Sequence, residues 1–335
     1  MLTLLLSLCC LLLALLLFYL SGKWIFSSLK IHISNFSAQL FFSTLSGLTA
    51  FTIGTALYFT QGRSIFIVLL FLLGLLYFFT KTKNSEEGNA YKLNLKLDFK
   101  ERILPLLLSL VLLFCWFARL IIDADLELSF PSNPETILYA QFAKTIAHTG
   151  IESTFGIGYL PNDFPKSLSP YHYFDLWLSA GISQLTGLTT LQSIHFFTLP
   201  CLNFLNILGI CALLEHFQKW KFYFPFLAFL SLFFSACYFF PKAEEFGQYN
   251  FDYLEPLLGL YGEKLSFAFT ILLAAAILFL RAQTFPGMLL LLLLPLLFPS
   301  LLFPISIALP FYSFICYRRK SIDKQDLLKI LAFEG

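Results

Sequence analysis

Between Leu2 and Leu20 the chain carries no charged side chain, and Thr3, Ser7 and the Tyr19 hydroxyl are its only polar groups. A helix of that length rises about 28 Å at 1.5 Å per residue, close to the ~30 Å hydrocarbon core of a bilayer. Comparable runs recur at 38–60, 64–80, 103–122, 171–187, 191–214, 222–240, 265–281 and 287–316. Backbone groups in lipid have no water to bond, so each run must satisfy them internally as helix. None shows the sustained period-two alternation of a barrel strand. The sequence predicts an all-α, polytopic integral membrane protein with about 8–10 transmembrane helices.

Composition excludes the soluble alternative. The chain is 58% hydrophobic and 13% charged, against about 25% charged residues in soluble domains. A disordered chain would show the opposite bias. The net charge of +2 comes with no basic block, which makes nucleic acid an unsuitable partner and the lipid bilayer the expected one. Cys9, Cys10, Cys115, Cys201, Cys211, Cys237 and Cys316 all lie in apolar runs without C-x-x-C pairing. They read as small buried hydrophobes, not as a disulfide or metal framework. The first run lacks a basic leader and a small-residue cleavage site, and reads as a retained helix.

Basic residues in short loops mark the cytoplasmic side. Lys81, Lys83, Lys92, Lys96, Lys100 and Arg102 place 81–102 there, and Arg318, Arg319 and Lys320 place the following tail there. Lys23 and Lys30 follow the same rule, which puts the N-terminus outside. Asp123, Asp125, Glu127, Glu135, Glu152 and Asp163 place 123–170 outside. The expected organisation is an N-terminal three-helix segment (1–80), a cytoplasmic linker (81–102) and a membrane core (103–335) with a helical external loop at 123–170. After residue 170 two rules conflict. Counting each run as a full crossing puts Lys219 and Lys221 outside; the charge rule puts them inside. Making 171–187 a juxtamembrane helix is one repair. A broken or doubled-back 287–316, which holds Pro295, Pro299, Pro304 and Pro310, is then needed at the other end.

The external loop carries the chemistry-bearing residues. Asp123 and Asp125 at D-x-D spacing suit a divalent cation, or one of them suits a general base raised by burial and its like-charged neighbour. The bland alternative is an acidic interfacial loop. Ser132 or Asn133 can cap a helix with Pro134 and Glu135 in its first turn, running to about His148 and ending at Gly150. Ile137, Leu138, Phe142 and Ile146 give it an apolar stripe suited to a membrane surface. His172 and Asp175 share a face at i, i+3 spacing, within an aromatic belt of Tyr171, Tyr173 and Trp177. Arg119 ends an apolar run, where it either snorkels to the interface or meets an anionic headgroup. His195 reads as a satisfied polar contact near a helix start.

This segment resembles the first external loop of GT-C fold membrane glycosyltransferases such as the aminoarabinose transferases and protein O-mannosyltransferases. Asp123 and Asp125 stand where that loop opens on an acid. Glu135 to Ala143, with Tyr139-Ala140 and the closing Gly150, is similar to its acidic, Tyr-Ala-bearing helix. Ser169-Pro170 through Tyr173 and Trp177 to Gly187 looks like its proline-led aromatic helix, with Ser169 in place of the first proline. The resemblance covers roughly 103–215. It implies sugar transfer from a polyprenyl-phosphate donor to an acceptor on the non-cytoplasmic face, in a bacterial inner (plasma) membrane. Asp123, Asp125 and Glu135 would be the catalytic carboxylates. Tyr139, His172, Asp175, Arg119 and Lys166 would bind substrate, and Lys144 is a further cation near the donor phosphate. Asp123 and Asp125 would hold Mg²⁺ or Mn²⁺ if a metal takes part. The alternatives are a transporter or flippase and a non-catalytic scaffold subunit.

Overall fold

A computed structural model describes residues 2–29, 35–60, 99–122, 134–150, 174–234 and 263–292, with isolated positions at 31, 33, 294, 312, 315 and 318. Among the described residues all regular structure is helical. Nine helices are seen: α1 (Leu2–Ser28), α2 (Phe36–Thr60), α3 (Phe99–Ala118), α4 (Pro134–Thr149), α5 (Phe174–Thr186), α6 (Thr190–Phe217), α7 (Phe224–Phe234), α8 (Glu263–Leu280) and α9 (Thr284–Leu291). Of these, α1, α2, α3 and α6 are long and apolar enough to cross a membrane, and α8 contributes a shorter apolar stretch, Ser266–Leu280. The run at 64–80 and most of 287–316 lie outside the described residues.

Small residues set the first packing contact. A Cβ on Gly22 would strike the Ser43 carbonyl, and one on Gly47 would strike the Phe18 carbonyl. The α1 and α2 backbones therefore approach more closely than larger side chains permit, a common solution where lipid supplies no hydrophobic drive between helices. The pairing is antiparallel. Both helices share one hydrophobic core with α3, α6 and α8, built around Leu11, Phe41, Leu110, Phe117, Phe196, Leu205 and Ala274.

α6 is the axis of this bundle. Ser37 of α2 meets Glu215 near its end, and Phe41 meets Gly209 a turn and a half earlier, so α2 and α6 are antiparallel. α8 runs parallel to α6, with Asn203 against Ser266, Asn206 against Thr270 and Gly209 against Leu273. Among the described residues α3 begins with a π-helical turn, Phe99–Ile103, and a second, Ile194–Thr198, interrupts the otherwise regular α6.

These pairings define two ends. At one end lie Lys23, Lys100, Arg102, Lys219, Lys221 and Arg281, beside the start of α2 and the end of α6. We call it the basic end. The far end holds the close of α2 and α3, all of α4 and the start of α6. α5 stays in the far half. Trp177 meets Phe59, Gly181 meets Thr55, Ser179 meets Thr198, and Phe174 stacks on Phe267 at 3.6 Å. With 13 residues it rises only about 20 Å, and it does not reach the basic end. α5, the described part of the 171–187 run, is thus not a full crossing, and Lys219 and Lys221 fall at the same end as Lys100 and Arg102, as the charge rule prefers.

Two expectations need correcting. α4 does not lay its apolar stripe on lipid. Phe142, Ala143 and Ile146 pack against Phe59, Leu176, Trp177 and Ala180, because α5 offers a matching apolar face. Nor are all the cysteines buried. Cys201 and Cys211 are, but Cys9, Cys10 and Cys115 are exposed on the outer faces of α1 and α3, where a small apolar thiol meets hydrocarbon at little cost.

Candidate functional site

The far end collects most of the sequence-predicted residues that are described. α3 closes at Ala118, and Arg119 follows, exposed, with its guanidinium 4.3 Å from the centre of the Trp116 ring. That stacking holds the cation beside an aromatic face. α4 begins at Pro134, whose fixed φ and missing N–H suit a first turn. It ends where Gly150 takes φ +68 and returns its N–H to Ile146 at 2.8 Å. A Cβ there would strike the Phe59 carbonyl, so glycine answers both the left-handed turn and the contact with α2.

The backbone of Glu135 sits in the first turn of α4, and its side chain lies outside the described residues. Tyr139 is half-buried and touches both apolar clusters. Asp175 stands in the first turn of α5 and is 2% exposed. Asp123, Asp125, Lys166 and His172 lie outside the described residues. Among the described residues no three His, Cys, Asp or Glu side chains group as a metal site would need. The structure therefore places Arg119 and Tyr139 at the far end and Asp175 in the same half of the bundle, beside the Phe174 that stacks on Phe267.

A polar seam runs along the start of α6, and His195 is the one member of it that the sequence singles out. The Ser179 and Thr198 hydroxyls share a hydrogen bond of 2.8 Å, and the Ser193 hydroxyl donates to the Ser179 carbonyl at 2.8 Å. The start of α6 is fixed by a capping box: Thr189 accepts from the Gln192 N–H, and Gln192 accepts from the Thr189 N–H. That pairing answers two donors left over at a helix start. His195 follows in the π turn, fully buried. Neither ring nitrogen makes a well-formed hydrogen bond among the described residues, and the Phe117 carbonyl is its polar neighbour. An imidazole held this way costs stability, and an ionisable group inside a spanning helix is a functional candidate.

A second polar set sits near the middle of α6. The Asn206 amide donates to the Ser266 carbonyl at 3.1 Å and accepts from the Thr270 hydroxyl at 2.7 Å. The Asn203 amide donates to the Leu199 carbonyl and the Ser266 hydroxyl. These groups satisfy one another and clamp α8 to α6. The signal was present in the sequence: Gln192, Ser193, His195, Thr198, Asn203 and Asn206 interrupt one apolar run, and polar groups in a spanning helix turn toward protein.

The basic end has its own lock. Glu215 accepts the Ser37 N–H at 2.8 Å and lies 3.5 Å from the Arg102 guanidinium. Arg102 also faces the Phe36 ring at 5.1 Å. Half-buried Arg281 has its pKa drawn below the ordinary value by burial, with the Glu215 carboxylate opposing that shift.

Set against known proteins, the chain matches no family model, no curated protein and no solved structure.

Proposed function

We propose that this chain is a membrane glycosyltransferase that moves a sugar from a polyprenyl-phosphate donor to an acceptor on the non-cytoplasmic face. The observation that supports it is the gathering of α3's close, α4 and α5 at the end opposite the basic one. That arrangement puts Arg119, Tyr139 and buried Asp175 in one half of the bundle, and Asp123 directly follows Ile122 in the sequence. In this reading the basic end is cytoplasmic and the bilayer is that of a bacterial plasma membrane. Asp125 or Asp123 takes the acceptor proton, with Glu135 as the further carboxylate. The departing lipid phosphate is met by Arg119, Lys144, Lys166 and His172, or by a divalent cation on the D-x-D pair. The lipid tail lies against the Leu- and Phe-rich helices.

The test is transfer of labelled sugar from a panel of polyprenyl-phosphate sugars by the full chain in proteoliposomes. Asp125→Asn is expected to abolish transfer without changing the thermal midpoint. Wild-type protein inert toward the whole panel overturns the proposal.

One observation favours a second reading, a transporter or flippase. His195 lies in a π turn of a spanning helix, and interrupted helices with polar groups mark transport paths. Substrate-dependent uptake into proteoliposomes that is lost in His195→Leu would favour it over the transferase.

A further inference from the structure

Each exposed lysine among the described residues of the basic end has an exposed aromatic within two residues of it in sequence. Lys23 precedes Trp24 on α1, and Phe99 precedes Lys100 at the start of α3. Phe217 lies two residues before Lys219, and Lys221 leads into Phe222 and Tyr223. Phe217 is 70% exposed and Phe222 is 62% exposed, far more than a short connection needs merely to turn the chain.

Trp220, between the two loop lysines, faces the other way. Its indole N–H donates to the Glu101 carbonyl at 2.8 Å, and its ring meets Phe36 and Phe224 edge-on at 5.9 and 5.8 Å. The inward tryptophan pins the connection, so Lys219 and Lys221 are held on the outside at either side of it. Arg102 is engaged by Glu215. The four lysines form no ion pair with a carboxylate among the described residues, and the Lys23 ammonium lies 5.8 Å from the centre of the Tyr19 ring, itself an aromatic neighbour.

We propose that Lys23, Lys100, Lys219 and Lys221, with Trp24, Phe99, Phe217, Phe222 and Tyr223, form a collar that binds anionic phospholipid headgroups. Ammonium groups on flexible stems reach headgroup phosphates, and the rings beside them sit at the boundary between headgroups and acyl chains. A negative surface attracts each such lysine. A water-soluble acidic partner would leave the rings without hydrocarbon to enter, so the bilayer is the occupant that uses both chemistries. The collar does not depend on the transferase reading.

Native mass spectrometry of the full chain, released from micelles containing equimolar phosphatidylglycerol and phosphatidylcholine, tests it. Wild type is expected to retain the anionic lipid over the zwitterionic one by about tenfold or more, with about twofold lost per lysine neutralised. The Lys23→Gln, Lys100→Gln, Lys219→Gln, Lys221→Gln combination should approach parity, and the same four changes to Arg should keep the preference. If the fourfold Gln variant does not fold, Lys219→Gln with Lys221→Gln on the exposed loop is expected to give a partial loss. Equal retention of both lipids by wild type, or a preference unmoved by the Gln changes, overturns the collar.

Discussion

The Glu215 carboxylate accepts a hydrogen bond from the Ser37 backbone N–H at 2.8 Å, across 178 residues of chain. It caps a helix to which it does not belong. The first turn of any helix has N–H groups without intrahelical partners, and here the end of α6 supplies the acceptor for α2. Glu215→Ala is expected to lower the stability of the chain in detergent by about 1 kcal/mol, the scale of a lost helix cap. Glu215→Gln, which keeps an acceptor oxygen, should lose less. Thermal melts of the two variants in one micelle condition decide the order.

The contact between α1 and α2 tolerates no side chain. Gly47→Val should push the helices apart and cost about 1–3 kcal/mol, as overpacking does. Trypsin cleavage at Lys30 should then accelerate while the rest of the bundle persists. Unchanged cleavage would mean that α1 is held by something other than its close approach to α2.

Asn206 and Thr270 form one unit. A double-mutant cycle with Asn206→Ala and Thr270→Ala should give a coupling of about 0.6 kcal/mol, the mean for hydrogen bonds between membrane helices. Additive losses would show that each side chain acts through packing alone.

Ala282 adopts φ 59, a left-handed conformation that favours glycine. It follows α8 in a closing turn in which its own N–H returns to the Phe279 carbonyl and the Gln283 N–H to that of Leu278. This is the hydrogen-bond pattern in which helices commonly end on glycine. Ala282→Gly should therefore raise stability by about 1 kcal/mol, a gain rare among random substitutions and readable in a chemical melt.

Sidedness follows from the two ends. In a background with all native cysteines replaced, Lys100→Cys, Lys219→Cys and Arg281→Cys should label from one face of sealed vesicles. Lys144→Cys on α4 should label from the opposite face. Lys219→Cys labelling with Lys144→Cys would restore α5 as a full crossing.

How far the sequence alone reaches is clear from α4 and α5. The bounds of α4 were legible because Pro134 and Gly150 act through local backbone chemistry. The role of α5 was not, since a short apolar helix buried against protein has the same composition as one facing lipid. Only the contacts of Trp177 and Gly181 with the end of α2 tell them apart. Arg119, Tyr139 and Asp175 are named by the sequence and lie in one half of the bundle, while their mutual geometry is tertiary information that no spacing carries. His195 was read as satisfied because hydrogen-bond geometry is tertiary information. The exposed Cys9 and Cys115 show the same limit: apolar character does not say whether a residue faces lipid or core.

The π turn at Ile194–Thr198 has a mechanical consequence. A helix is a screw of about 100° per residue, and a π turn winds one surplus residue into the thread while both flanks keep their phase. The capping box at Thr189 lies above that surplus; the Asn203–Asn206 clamp and the Glu215 cap lie below it. α6 thus behaves as a regular thread with slack at a single place. Removing one residue within the π turn should leave both flanks in register. Removing one between Asn206 and Glu215, where no slack exists, would twist the Glu215 carboxylate about 100° away from α2.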